Sequence, residues 1–156
     1  MYLHEAMKEP DRAEFIKAME EEVQQHTKNH VWSLVKRSDI PKTVPIIPGV
    51  WAMRRKRRIA TREINKWKAR LAFDGSRQIK DVNYTETYAP VVGWGPTRLV
   101  LLMAVMNKWT TKQIDFVAAY PQAKAERDDL YMQIPRGFEV SGKNPKDYEL
   151  KLERNL

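Results

Sequence analysis

The feature that most constrains the fold is a pair of strand-like stretches rich in basic residues. VWAMRRKRRIA fills residues 50–60, and a stretch beginning NKWKARLAF fills residues 65–74, with a join near Thr61 to Ile64. This pattern predicts a long antiparallel hairpin, which we call the basic hairpin. Eleven Lys or Arg residues but only two acidic residues lie between Trp51 and Lys80, whereas the rest of the chain is almost neutral. So much positive charge on one hairpin indicates a polyanion as partner.

Alternate side chains of a strand share a face, which predicts a row of cations on one side of the hairpin. The predicted members are Arg55, Arg57, Lys66, Lys68 and Arg70. Such a row would follow a nucleic-acid backbone, with Trp51 and Trp67 either stacking on bases or packing beneath the row. The alternatives are a solvated charged hairpin and a nuclear-import-like run. The candidate nucleic-acid-binding residues are Arg54, Arg55, Lys56, Arg57, Arg58 and Lys66.

The remaining patterns predict a mixture of helices and strands. An amphipathic helix begins near Pro10, where Asp11 and Glu14 suit a reciprocal cap, and extends to about Lys28. Further strands are predicted over residues 30–37, 110–116, 129–134 and 148–153, and further helices over residues 97–107 and 117–126. This order of elements indicates the α+β class. The helix at residues 97–107 is apolar nearly all round, so we expect it to pack deeply.

Composition excludes several kinds of site. With no cysteine, the chain has neither disulfides nor thiolate metal sites. Its longest apolar run, residues 99–106, is far shorter than the roughly 20 residues that span a bilayer, which argues against a membrane as partner. His4, His26 and His30 offer no metal-ligand spacing with Asp115, and there is no HExxH motif, phosphate-binding P-loop or Ser–His–Asp arrangement.

One carboxylate stands at an unusual position. In QIDFVAAYPQA, residues 113–123, Asp115 lies between a predicted strand and a predicted helix. It either caps the helix or holds a positive group such as a metal ion. The residues alone therefore indicate a basic, nucleic-acid-binding α+β domain with one unexplained acidic residue.

A series of motifs, in order along nearly the whole chain, points to a family. They are EFIKAMEEEVQQHTKNHVWSLV, NKWKARLAFDG, DVNYTETYAPVVG, TRLVLLMAV, KQIDFVAAYPQA and DDLYMQIPRGFE. In this order and spacing they resemble the reverse transcriptase of copia-type retrotransposons. That region has a KARLVAKG-like strand, an ETFAPVV-like loop, an LDVxxAF strand–helix junction and a VYMxxPxGF hairpin.

The resemblance implies the fingers and partial palm of a right-hand polymerase, with the basic hairpin and helices packed on an antiparallel sheet in an incomplete domain. Residues 1–30 would form a helical lead-in, residues 31–95 a fingers-like region and residues 96–156 the first half of the palm. The implied partners are an RNA or DNA template–primer, deoxynucleoside triphosphates (dNTPs) and the remainder of a Pol polyprotein. Family members work in cytoplasmic particles, and their DNA products go to the nucleus.

The resemblance also assigns a role to each residue near the nucleotide. Lys68 and Arg70 would clamp the triphosphate of the incoming dNTP, and strand register would decide which of the two faces it. Tyr120 would be the gate that disfavours a 2′-hydroxyl, the alternative being an aromatic ring packed on the palm. The small side chain of Ala119 would let the nucleotide approach.

The same comparison makes Asp115 the first catalytic aspartate, a ligand of two Mg²⁺ ions together with the backbone carbonyl of Phe116. The family's aromatic-x-Asp-Asp pair does not occur in these 156 residues, and we assign Asp128 and Asp129 to a solvated turn. One carboxylate cannot hold two ions about 3.5–4 Å apart. We therefore expect no polymerase activity from this chain alone, the alternative being a non-catalytic nucleic-acid-binding remnant of a retroelement.

Overall fold

Helices and strands are interspersed along the chain, as the sequence patterns predict. The computed structural model describes residues 1–80, 84, 90–116, 119–125, 127–138 and 144–156. These residues form α1 (Leu3–Ala6), α2 (Arg12–Lys28), β1 (Trp32–Lys36), β2 (Ile46–Ile47), β3 (Gly49–Arg57), β4 (Ile64–Phe73), α3 (Trp94–Met106), α4 (Ala119–Gln122), β5 (Tyr131–Met132) and β6 (Tyr148–Leu152). The antiparallel pair of β3 and β4 confirms the basic hairpin.

One face of the basic hairpin belongs to the core. Antiparallel pairing sets Trp51 opposite Leu71 and Met53 opposite Ala69, and all four side chains are buried. The indole nitrogen of Trp51 donates to the carbonyl oxygen of Arg136 at 3.1 Å. Trp51 therefore packs beneath the cations, which is the second of the two roles predicted for it.

The other face carries five cations, which we call the cation row. They are Arg54, Lys56, Lys66, Lys68 and Arg70. The predicted membership of Arg55 and Arg57 is wrong. Arg55 alternates onto the core face, and the register shifts between Lys56 and Arg57. Because alternate residues share a face, a shift of one residue in register exchanges the two faces.

Helix α2 covers the core face of the hairpin and contributes Phe15 and Met19 to the core. The predicted reciprocal cap at its start does not form, because the side chain of Asp11 makes no capping hydrogen bond. The Asp11 carboxylate accepts hydrogen bonds from Arg55 and from the indole of Trp67 instead. Contacts from the hairpin have replaced a local cap, and they tie the start of the helix to β3 and β4.

A second sheet unites strands from both halves of the chain, in the order β1, β6, β5, β2. β6 pairs antiparallel with both β1 and β5, as expected. β2 pairs parallel with β5, so the predicted antiparallel arrangement holds only in part. Val31, Met132 and Leu150 are fully buried in the core.

Helix α3 forms at the predicted position but without the predicted packing. Ala104 is its one buried side chain in the described structure. Leu99, Met106 and Val105 are 57%, 74% and 78% exposed. The expectation of deep packing is therefore wrong, because no described element covers this helix.

The predicted strand at residues 110–116 is also wrong, since these residues have no regular secondary structure. A strand needs a partner for its backbone hydrogen bonds, and none of the described strands pairs with this segment. Helix α4 covers part of the helix predicted at residues 117–126, of which residues 117, 118 and 126 lie outside the described part. No helix among the described residues is long and apolar enough to cross a bilayer.

Candidate functional site

A cleft of about 530 Å³ opens between α2, β4 and the residues Phe116, Ala119 and Pro121, and we call it the α2–β4 cleft. Four of the residues singled out from the sequence line it, namely Lys68, Arg70, Phe116 and Ala119. They come from two motifs that are far apart along the chain. The structure therefore brings three of the predicted nucleotide-binding residues, Lys68, Arg70 and Ala119, to one cleft.

Lys68 and Arg70 lie on the same face of β4 and both line the cleft, while the choice of the one that faces the nucleotide stays a prediction. Side chains two residues apart on a strand share a face. Burial lowers the pKa of Lys68 below its usual value of 10.5, and the charges of Arg70 and Lys56 lower it further. An anion bound between these side chains would favour their charged forms. The two adjacent cations on this side of the cleft therefore suit a phosphate as ligand.

A smaller cavity of about 150 Å³ lies beside the hairpin and shares Lys68 with the cleft. Lys56 and Lys66 of the cation row also line it. The exposed cations of the hairpin include Arg54, Lys56, Arg57, Arg58 and Lys66, all candidates from the sequence. The cation row therefore continues from the cleft along the outer face of the hairpin, where a longer polyanion would contact it.

Arg55, a further candidate for nucleic-acid binding, is engaged within the protein. Its guanidinium donates to both carboxylate oxygens of Asp11, at 2.7 and 2.6 Å, and to Glu9 at 2.8 Å. It also lies 5.3 Å from the centre of the Phe15 ring. These contacts occupy the charge that was expected to meet a phosphate, so Arg55 holds the hairpin to the N-terminal segment.

Asp115 is exposed and forms no hydrogen bond or ion pair with the described residues. Residues 117 and 118, which separate this region from the described start of α4 at Ala119, lie outside the described part, so the alternative that Asp115 caps the helix stays a prediction. The neighbouring side chain of Phe116 lines the cleft, although it is 70% exposed. Tyr120 lies within α4, and its side chain is outside the described part. Its predicted contact with the nucleotide sugar stays a prediction.

The described donors do not fit a two-ion magnesium site. The described residues contain no group of three or more His, Asp or Glu side chains close enough to hold a metal ion. Asp129 accepts hydrogen bonds from Arg127 at 2.8 and 2.9 Å, and Asp128 is exposed in the same turn, in agreement with their assignment to a turn. Asp115 therefore belongs to no cluster of three or more potential metal ligands in the described part of the chain.

Three residues of α2 line the cleft without having been predicted: Glu22, Gln25 and His26. Nε2 of His26 lies 3.3 Å from a carboxylate oxygen of Glu22, and the His26 ring packs on Trp32 with centres 5.2 Å apart. Their spacing of three and four residues sets them on one face of the helix. That spacing was visible in the sequence, but nothing in it showed that this face meets β4.

A family described as reverse transcriptase (RNA-dependent DNA polymerase) matches residues 29–155. This chain belongs to that family.

Curated relatives of this reverse transcriptase chain are parts of plant transposons. It is 30% identical, over 99% of its length, to the retrovirus-related Pol polyprotein from transposon TNT 1-94 of Nicotiana tabacum. It is 34% identical, over 89% of its length, to the Pol polyprotein from transposon RE1 of Arabidopsis thaliana. The chain spans 11% and 9% of the lengths of these two relatives. The copia-type resemblance is thus confirmed, and no solved structure matches the chain.

Proposed function

We propose that the α2–β4 cleft binds the triphosphate of an incoming dNTP during RNA-directed DNA synthesis by a retrotransposon Pol protein. The observation that carries this proposal is the meeting of Lys68 and Arg70 with Phe116 and Ala119 around one cavity of about 530 Å³. This volume lies within the range of about 300–1,000 Å³ typical of small-molecule sites. The family membership of the chain supplies the reaction class.

The two cations would act in different ways on the triphosphate. Arg70 presents a planar group that can donate two parallel hydrogen bonds to phosphate oxygens. Lys68 is a compact charge whose pKa is lowered chiefly by burial, and a bound phosphate would favour its charged form. The apolar side chain of Phe116 and the small side chain of Ala119 would leave room for the nucleoside.

The outer face of the hairpin would carry the nucleic acid. Arg54, Lys56 and Lys66 lie on this face, and together with the exposed Arg57 and Arg58 at the end of β3 they suit contacts with a phosphate backbone that add no sequence specificity. In this scheme residues 1–30 are the lead-in, residues 31–95 the fingers and residues 96–156 the first half of the palm. The pairing of β1 with β6 would join fingers and palm through one sheet.

Catalysis would require more than this chain supplies. Asp115 is the proposed first catalytic aspartate, with the Phe116 carbonyl as a second oxygen donor and Tyr120 as the gate against ribonucleotides. A two-ion site also needs carboxylates from outside the described residues, because those described offer no cluster around Asp115. The chain by itself would therefore bind nucleotide and nucleic acid without polymerising. The exposed cation row equally favours a second candidate, a nucleic-acid-binding remnant without chemistry.

Photoaffinity labelling tests the dNTP site directly. A dNTP with a photoreactive group on its γ-phosphate should label peptides that contain Lys68 or Arg70, and excess unlabelled dNTP should suppress the labelling. Labelling confined to the outer hairpin, around Arg54 and Lys56, would favour the nucleic-acid-binding remnant. Labelling spread over the surface without competition would contradict both functions.

A further inference from the structure

Helix α2 brings one acidic side chain to the cleft that Lys68 and Arg70 also line. Glu22 is the only Asp or Glu side chain among the residues that line the α2–β4 cleft in the described structure. It also lines the smaller cavity beside the hairpin, and in both places it is accompanied by Lys68. Its side chain is 19% exposed. A carboxylate at this junction faces any anion that enters either cavity.

The position of Glu22 is set by a buried neighbour. His26, one turn further along α2, is 7% exposed and holds its Nε2 3.3 Å from the Glu22 carboxylate. The other ring nitrogen, Nδ1, is buried without a hydrogen-bond partner among the described residues. A proton on Nδ1 would be a buried donor without an acceptor, which is costly. Of the two ring nitrogens, the geometry therefore favours Nε2 as the hydrogen-bond donor, and it donates to the Glu22 carboxylate.

We propose that Glu22 is a specificity-determining residue of the cleft, which favours a triphosphate complexed with a divalent cation over the free triphosphate. The inference rests on the proposed dNTP function. Repulsion between Glu22 and the ligand grows with the negative charge of the ligand. A bound divalent cation removes two negative charges from the triphosphate, so the complex is repelled less. Lys68 and Arg70 still attract both forms.

The electrostatics of Lys68 agree with this arrangement. Burial and the charges of Arg70 and Lys56 lower the pKa of Lys68, whereas the charge of Glu22 opposes the decrease. Glu22 is thus near enough to act on the same charges that would hold the phosphates. Without it, the cleft would accept the most highly charged anion most readily.

The test compares dNTP binding to the full 156-residue chain with chelator and with excess MgCl₂, at matched ionic strength. In Glu22→Gln the side chain keeps its size and its ability to accept from His26 but loses its charge. This variant should bind the metal-free dNTP roughly three- to tenfold more tightly than the unmodified chain. Binding of the magnesium complex should tighten by less, so the preference for the complex should fall. Glu22→Met, which also removes the charge and suits a helix, should cause the same fall in the preference for the magnesium complex.

Glu20→Gln is the matched control, because Glu20 is exposed on the same helix and lines neither cavity. An unchanged preference in Glu22→Gln, or an equal change in Glu20→Gln, would overturn the role of Glu22 while leaving dNTP binding by the unmodified chain intact. If neither the unmodified chain nor Glu22→Gln binds dNTP in either condition, the proposed function fails and this inference falls with it.

Discussion

Asp11 and Arg55 are joined by two hydrogen bonds, of 2.7 and 2.6 Å, across 44 residues of sequence. The same carboxylate accepts from the indole of Trp67 at 2.5 Å. These contacts fasten the start of α2 to both strands of the basic hairpin. They hold α2 against β4, and the α2–β4 cleft lies between these two elements.

We predict that Asp11→Asn lowers the thermal midpoint of unfolding by a few degrees, because it removes the charged acceptor of Arg55 and Trp67. Arg55 and Trp67 hold the pKa of Asp11 well below its ordinary value of 3.8. A lowered folded-state pKa gives stability that is present above the unfolded value and is lost as the pH falls below it. The difference in thermal midpoint between Asp11→Asn and the unmodified chain should therefore shrink below about pH 3.8. Asp128→Asn, an exposed turn residue, is the control, and equal effects of both substitutions would contradict the prediction.

Glu149 should show the opposite dependence on pH. It is 3% exposed, and burial raises its pKa above the ordinary value of 4.5 despite an ion pair of 2.9 Å with Arg37. A raised folded-state pKa means that the folded chain loses stability as the pH rises from about 4.5 through the folded value. Glu149→Gln should therefore gain stability relative to the unmodified chain between about pH 4 and pH 7. Denaturant unfolding of both chains at the two pH values measures the difference in their free energies of unfolding. A variant that is less stable than the unmodified chain, by an amount that grows toward neutral pH, would show that the ion pair outweighs burial.

Local patterns predicted part of this structure and long-range contacts decided the rest. The alternation within β3 and β4 was enough to predict the basic hairpin, but not the register that sends Arg55 inward. The sequence around Asp11 suited a local cap, and a guanidinium far along the chain replaced it. The apolar character of α3 predicted a helix, whereas its packing depends on a partner that is absent from the described residues.

The cleft shows the same division between local and distant information. Motif position alone selected Lys68, Arg70 and Ala119, which line it. Glu22 and His26 were missed because they belong to a helix whose amphipathic pattern only indicates that it packs somewhere. Their contribution depends on α2 crossing β4, which no local signal in either segment specifies.

The cation row should dominate the salt dependence of nucleic-acid binding. Exchange of Arg54, Lys56 and Lys66 for Gln should lower the slope of log affinity against log salt by about 0.9 for each duplex phosphate that is no longer neutralised, or roughly 2–3 in all. Fluorescence anisotropy of a labelled primer–template between about 50 and 200 mM salt, the range over which such interactions weaken, measures the slope. The control removes three exposed lysines elsewhere, Lys17, Lys28 and Lys42. Equal slopes in both triple variants would show that net charge alone governs binding.

Asp115 is predicted to matter for synthesis and not for template binding. In a longer Pol protein that contains this region and is active, Asp115→Asn should abolish metal-dependent DNA synthesis. Affinity for the primer–template should stay nearly unchanged, because Asp115 is remote in sequence from the basic hairpin and contributes no positive charge. Asp128→Asn, which changes an exposed carboxylate of the same chain, should retain synthesis. Full synthesis by the Asp115→Asn protein would refute its role as a metal ligand.

The central claim, that Lys68 and Arg70 hold the triphosphate of a dNTP, is tested most directly by calorimetric titration of the chain with dNTP. Lys68→Met and Arg70→Met should each weaken binding at least about tenfold, in line with the loss of a hydrogen bond between charged groups. Lys17→Met, an exposed lysine on the outside of α2, should bind as the unmodified chain does. Unchanged affinity in the Lys68 and Arg70 variants, or an equal decrease in Lys17→Met, would contradict the account.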